Sequence, residues 1–308
     1  MVLPRTLGLT ALTFAALMAC SSTATAECKR DHEAFSLANE ADSVRTTDVD
    51  AAIGKYERAI VLAPLQHRIL YKLALAYVRK EAWQSVVRVT ERAMKLAPTF
   101  ANYASTRGIA LARLAAKEGG SWAEARTALE GALALDDGDA DAHLELGDVL
   151  LHLDEERAAL KHYDRAVRIG PDRSAGYLSL ADLYLRLAFV PQAEKTLTEG
   201  LRLTHDGGTF TLLMLIGHIA ETKHDATGAL ARFEEAKHAC GACTERGQQV
   251  VFFELGAAYA SATPPRKAEA MANLGMFSKL VCKGALASRY ADQCTQAYEI
   301  ASRLGGVR

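Results

Sequence analysis

The sequence predicts an all-α chain, a solenoid of stacked helix pairs. Three observations carry that expectation. The pattern Tyr56-x-x-Ala59-x-x-x-x-Pro64 returns in full as Tyr163-x-x-Ala166-x-x-x-x-Pro171, and in part at Ala93 and Pro98, 34 residues beyond the first copy. A second pattern, Leu73-Ala74-x-x-Tyr77, returns at matching phase as Leu180-Ala181-x-x-Tyr184 and Leu255-Gly256-x-x-Tyr259, with Leu146-Gly147 and Ile216-Gly217 between them. Composition agrees: alanine and leucine dominate, β-branched runs are scarce, and proline numbers only 7 in 308 residues, a bias toward helix. A fixed period of this length marks a repeat architecture in which each unit is one supersecondary element.

The first segment is read as a targeting sequence rather than as structure. Arg5 gives a positive start, and Thr6–Ala19 is uncharged and apolar. Fourteen helical residues rise about 21 Å, short of the roughly 20 residues that a bilayer span needs. Two cleavage sites compete. Leu17-Met18-Ala19-Cys20 resembles a bacterial lipobox, which would lipidate Cys20; Ala24-Thr25-Ala26 resembles an ordinary signal-peptidase site. The organisation expected is a signal peptide at 1–26, a divergent first helix within 27–48, a repeat array at 49–282, and a capping helix with its tail at 283–308.

Within the array each slot has a physical reason. Ala74, Gly108, Gly147, Ala181, Gly217 and Gly256 let the first helix of a pair approach the second closely, and Ala59, Ala93, Ala132, Ala166 and Ala236 do the same for the second helix. Pro64, Pro98 and Pro171 stop the second helix, because proline has no N–H to donate to the preceding turn. One pair cannot bury its apolar face alone, whereas stacked pairs share a core. Trp83 and Trp122 hold one repeat phase and are read as packing residues. The third unit is longer, and the extra length is placed at Ala116–Ser121, between its two helices. A slip of two residues falls at Asp206-Gly207-Gly208, and the largest break at Ala239–Gln248, where the unit boundary carries Cys240-x-x-Cys243. Pro264-Pro265 make a tight turn, residues 32–46 form an early helix, and Ala285–Leu304 forms the cap.

These residues resemble the tetratricopeptide repeat over Val49–Leu280. The resemblance implies a right-handed superhelical solenoid of about six to seven helix-turn-helix units with a C-terminal capping helix. It also implies a concave wall lined by the first helix of each unit. Carried over by phase, that wall holds Arg68, Tyr71, Arg79, Asn102 and Arg113 in the early units, Asp141, Asp148 and Asp182 in the middle, and Met214, His218 and Phe253 late. The wall thus changes from basic through acidic to apolar. The lysine–asparagine set with which some members clamp a C-terminal carboxylate is not matched, since Tyr71, Leu75, Ile109 and Asp148 occupy its slots.

No catalytic motif accompanies the repeats: H-E-x-x-H, G-x-S-x-G and the phosphate-binding glycine loops are all missing. His143, His152 and His162 read as helix-surface or groove residues. Asp136-Asp137-Gly138-Asp139 reads as a polar turn, because the calcium-loop glutamate is replaced by Gly147. Among the cysteines, Cys240, Cys243, Cys282 and Cys294 crowd the last quarter and favour disulfides in an oxidising compartment. Stacked helix ends would bring Cys282 near Cys240 and Cys243, and leave Cys294 for the remaining partner. Four cysteines allow three connectivities, and a zinc site on Cys240, Cys243 and His238 is the alternative. Thr244 replaces the histidine of a haem-attachment motif, and Cys28 is left over.

Lys and Arg total 36 against 37 Asp and Glu, which points away from nucleic acid as a partner. No cofactor is expected, and the membrane enters only through an N-terminal lipid. The function expected is non-enzymatic: a protein-interaction scaffold of the bacterial cell envelope supporting assembly or localisation of a complex. The alternative is a periplasmic peptide- or glycan-binding module, or an accessory subunit of an envelope enzyme.

Overall fold

The structure is a computed structural model and describes residues 22–305. The apolar stretch Thr6–Ala19, expected as a signal sequence, and Cys20 lie outside the described residues. Every regular element among those described is helical: fifteen α-helices and one π-helical turn. They pair as α1 (Ser22–Val44) with α2 (Val49–Leu62), α3 (His67–Arg79) with α4 (Trp83–Leu96), and α5 (Ala101–Glu118) with α6 (Trp122–Leu135). Next come α7 (Ala140–His152) with α8 (Glu156–Ile169) and α9 (Ser174–Arg186) with α10 (Val190–Leu203). The last pairs are α11 (Thr209–Thr222) with α12 (Ala226–Cys240) and α13 (Val250–Ser261) with α14 (Lys267–Phe277), followed by α15 (Ala291–Arg303). The chain divides after Leu135 into two compact units, α1–α6 and α7–α15. No helix among the described residues is long and apolar enough to cross a membrane.

In the first unit Ala52, Tyr56 and Ala59 of α2, Leu70, Leu73 and Ala74 of α3, and Ala93 of α4 share one core that extends to Tyr103 of α5. In the second unit, Phe233 of α12, Leu255 of α13, Leu274 and Phe277 of α14 and Ala297 of α15 form the terminal core. The glycine slots are filled by large side chains of the paired helix, leucine at Gly108 and Gly256 and an aromatic ring at Gly147 and Gly217. A Cβ at Gly147 would lie 2.4 Å from Tyr163 Cε1, and one at Gly217 would lie 2.4 Å from Phe233 Cε1. Glycine here is a packing requirement, since no side chain fits without the helices parting.

Carboxylates start several helices. Asp48 accepts from Ala51 N, Asp139 from Asp141 N and Ala142 N, and Asp225 from Gly228 N; each such cap contributes about 1 kcal/mol. The polar run at Asp136 is therefore a turn in which Asp136 accepts from Gly138 N at 2.9 Å and Asp139 caps α7, while Asp137 pairs with Arg165. Asp206 accepts from both the backbone N–H and the hydroxyl of Ser174 at 2.9 Å, which ties the slip around Gly207 to the preceding pair.

Three sequence expectations need correction. The extra residues of the third unit do not make a loop at Ala116–Ser121. They lengthen α5 to 18 residues, because Ala115, Ala116, Lys117 and Glu118 are good helix formers. Gly119, at φ 73°, then stops the helix, and Gly120 N–H closes on the Leu114 carbonyl. The capping helix starts at Ala291, not Ala285. Ser278–Cys282 is a π-helical turn, and the residues between it and α15 form turns that reverse the chain. The cysteines pair locally, Cys240 with Cys243 and Cys282 with Cys294, and not across the ends of successive repeats. The cause lies in the backbone: Gly241 and Cys243 both take positive φ, which folds the chain back on α12. Cys282 and Cys294 have Cα atoms 5.7 Å apart. A straight helix from Ala285 would already have carried Cys294 about 14 Å along its axis. With both sulfurs joined, Cys240 and Cys243 do not form the zinc site considered with His238. Cys28 is exposed and free.

Candidate interaction faces

The first helix of each pair carries the candidate residues, and each unit presents its own set. On α3 and α5 of the first unit, Arg68 and Asn102 are exposed and lie 34 residues apart, at one position of successive first helices. Beside them an aromatic cluster spans the two helices. Tyr71 and Tyr103 rings approach to 4.7 Å, Phe100 stacks on Tyr103 at 5.2 Å, and His67 Nδ1 lies 2.8 Å from the Tyr103 hydroxyl. Tyr103 is buried while Phe100 is 42% exposed, so the cluster has a covered floor and an open apolar rim. The floor raises the Tyr103 pKa through burial, and the Arg68 charge partly offsets it. Tyr71, half-buried, has its hydroxyl 3.4 Å from that of Thr106. Arg79 and Arg113 are also exposed, and the Arg79 guanidinium donates to the Thr46 carbonyl at 3.5 Å. Arg107, one position along from Thr106, is held by Glu91 and Glu124.

The acidic candidates of the second unit serve different roles. Asp141 on α7 is exposed and pairs with Arg173. Asp148 is half-buried and accepts from the Tyr163 hydroxyl at 2.6 Å, fastening α8 to α7. Burial, followed by the Asp148 charge, pushes the Tyr163 pKa up. Asp182 on α9 is exposed and makes no ion pair among the described residues. A continuous acidic stretch free for a partner is therefore not what these residues make.

Met214 and Phe253 correct the late part of the wall. They are 5% and 7% exposed and belong to the terminal core, where Phe253 packs on Phe277 at 5.4 Å. Their rotational position on α11 and α13 turns them inward, so neither offers a surface. His143 differs as well: it is buried at the α7–α8 seam, with Nδ1 2.9 Å from His162 Nδ1 and Nε2 3.2 Å from the Asp137 carbonyl.

His218 of α11 is the late candidate that does meet other chemistry. Its Nδ1 is 3.2 Å from Glu221 Oε2 and its Nε2 is 4.0 Å from Glu254 Oε1 of α13. The hydrogen bond to Glu221 raises the His218 pKa, and burial pushes Glu254 up to about 7. The sequence reading missed Glu254. The signal was weak, a single acid in the apolar run Val250–Gly256, where burial would demand a partner.

A tetratricopeptide repeat family model matches residues 109–174. Among solved structures, a tetratricopeptide repeat protein from Parabacteroides merdae ATCC 43184 is similar over 86% of this chain and 99% of its own, at 13% identity and a TM-score of 0.58. PilF of Pseudomonas aeruginosa is similar over 68% of this chain and 93% of its own, at 15% identity and a TM-score of 0.56. PilW, a widely conserved type IV pilus biogenesis factor, is similar over 71% of this chain and 97% of its own, at 16% identity and a TM-score of 0.57. At these identities the likeness is one of fold. A search of curated proteins gives no match.

Proposed function

We propose, from the premise that this chain is a tetratricopeptide repeat protein, that it is an interaction scaffold of the cell envelope holding a protein or peptide on the first-helix face of α3 and α5. The observation that carries the reading is the aromatic cluster under an open rim, flanked by the exposed Arg68 and Asn102. Aromatic and arginine side chains that combine apolar area with directed hydrogen bonds are what protein interfaces concentrate at their anchors. The envelope assignment is supported by the apolar leader and by the two disulfides, which persist in oxidising compartments. PilW gives a further analogy, as a pilus biogenesis factor built on a similar fold. Repeat units that only stack and present side chains fit holding a partner better than turning one over, so the proposed role is non-enzymatic.

A partner segment lying here carries acidic residues toward Arg68, Arg79 and Arg113. Exposed charge pairs contribute about 0.2–1 kcal/mol each, so Arg68→Glu alone is expected to weaken binding only a few-fold. Reversing all three arginines to glutamate should slow association strongly and flatten its salt dependence. The measurement is surface plasmon resonance against the purified partner at several salt concentrations. Unchanged affinity and unchanged salt dependence in the triple variant would remove this face from the proposal.

A further inference from the structure

We infer that His218, Glu221 and Glu254 form a binding site for one divalent transition-metal ion of the zinc class, joining α11 to α13. One donor atom from each residue lies within 4.8 Å of the other two, a convergence the fold creates from two neighbouring repeats. His218 and Glu221 sit three apart on α11, so their side chains leave the helix on one side. Glu254 comes from the adjacent first helix.

Glu254 is the unusual member. Its side chain is only 14% exposed, it makes no hydrogen bond among the described residues, and the facing imidazole nitrogen stands 4.0 Å away. That is too long for a hydrogen bond. A buried carboxylate without a bonded partner is costly, and either a proton or a cation relieves it. The gap suits a cation. Zinc bonds to imidazole nitrogen and to carboxylate oxygen are each about 2.0–2.2 Å, so an ion on the line between the two atoms spans about 4.2 Å. Tetrahedral bonding shortens the span to about 3.4 Å, a closure of roughly half an ångström that two side chains supply by small rotations. Glu221, exposed and on a flexible side chain, gives the third arm by giving up its contact with Nδ1 and swinging to the Nε2 side, and solvent has access for a fourth.

The imidazole is already oriented. Its ring stands edge-on to Phe233, centroids 5.3 Å apart at 63°, and Phe233 is fully buried. The mixed nitrogen and oxygen donor set favours zinc and its neighbours over magnesium or calcium, which take oxygen ligands. Binding would fasten the last two repeats together, because the ligands come from both.

The test uses the whole chain with its disulfides intact and Cys28→Ser to remove the free thiol. After chelator treatment and its removal, ZnCl2 alone is titrated by calorimetry, with MgCl2 in parallel. One equivalent of zinc at micromolar affinity or better is expected, with magnesium far weaker. His218→Asn and Glu254→Gln should each weaken zinc at least 100-fold, and Glu221→Gln about ten-fold. X-ray absorption should show one imidazole among oxygen ligands. Zinc binding unchanged in both His218→Asn and Glu254→Gln overturns the assignment, as does failure of the parent protein to bind an equivalent. Sulfur in the metal shell also overturns it. Melting curves for the unliganded variants verify folding, and the Glu254→Gln side chain keeps the native shape.

Discussion

Gly147→Leu is expected to lower the melting temperature by roughly 5–10 °C while leaving a helical circular dichroism spectrum. The loss arises at the α7–α8 seam, where the Tyr163 ring occupies the space a side chain would need. Overpacking costs about 1–3 kcal/mol when side chains adjust, and more when backbones separate. Two companions isolate the cause. Gly131 of α6 is exposed, with nothing within 4 Å of where a Cβ would sit, so Gly131→Ala should stabilise by about 0.5–1 kcal/mol through helix propensity alone. Tyr163→Ala combined with Gly147→Leu should recover part of the lost stability, since the void left by the ring admits the leucine. If Gly147→Leu and Gly131→Ala shift the melting temperature alike, close helix approach is not what this slot provides.

Removing the Cys282–Cys294 bond with a double serine substitution is expected to cost about 3 kcal/mol in the chain-entropy model, given the twelve-residue separation. The loss should be local. In a stacked array each element leans on its neighbours, and α15 packs mainly on α13, α14 and the π-helical turn. Hydrogen exchange should therefore report early opening of α15, with α7–α10 keeping their protection. Removing Cys240–Cys243 should cost about 2 kcal/mol, because the loop it closes is shorter. Equal protection of α15 with and without the Cys282–Cys294 bond would refute this assignment of its role.

The repeat was legible because its slots answer to sterics that recur. A small residue on the first helix faces a large one on the second, Gly147 against Tyr163, Gly217 against Phe233 and Gly108 against Leu129, and Pro64, Pro98 and Pro171 each fall one residue past a helix cap. Positions governed by helix rotation were harder. Phase alone placed Met214 and Phe253 on an open wall, but a rotation of a fraction of a turn sends such side chains into the core. Pairings across elements were harder still. The carboxylates of Asp141 and Asp148 look free in a linear sequence, and only the fold brings Arg173 and the Tyr163 hydroxyl to them. The cysteine pairing depended on backbone reversals at Gly241 and before α15, which no repeat consensus describes. For the same reason His218 was found and Glu254 was not.

Placing a photo-crosslinking amino acid singly at Arg68, Asn102 and Arg92, and irradiating cells that make each variant, asks directly which helices touch a partner. Arg68 lies on α3 and Asn102 on α5, whereas Arg92 is also exposed but lies on α4, the second helix of its pair. A scaffold that holds its partner on the first-helix face should give the same discrete crosslinked protein from positions 68 and 102, and none from 92. A crosslink from 92 alone, or the same product from all three positions, would contradict it.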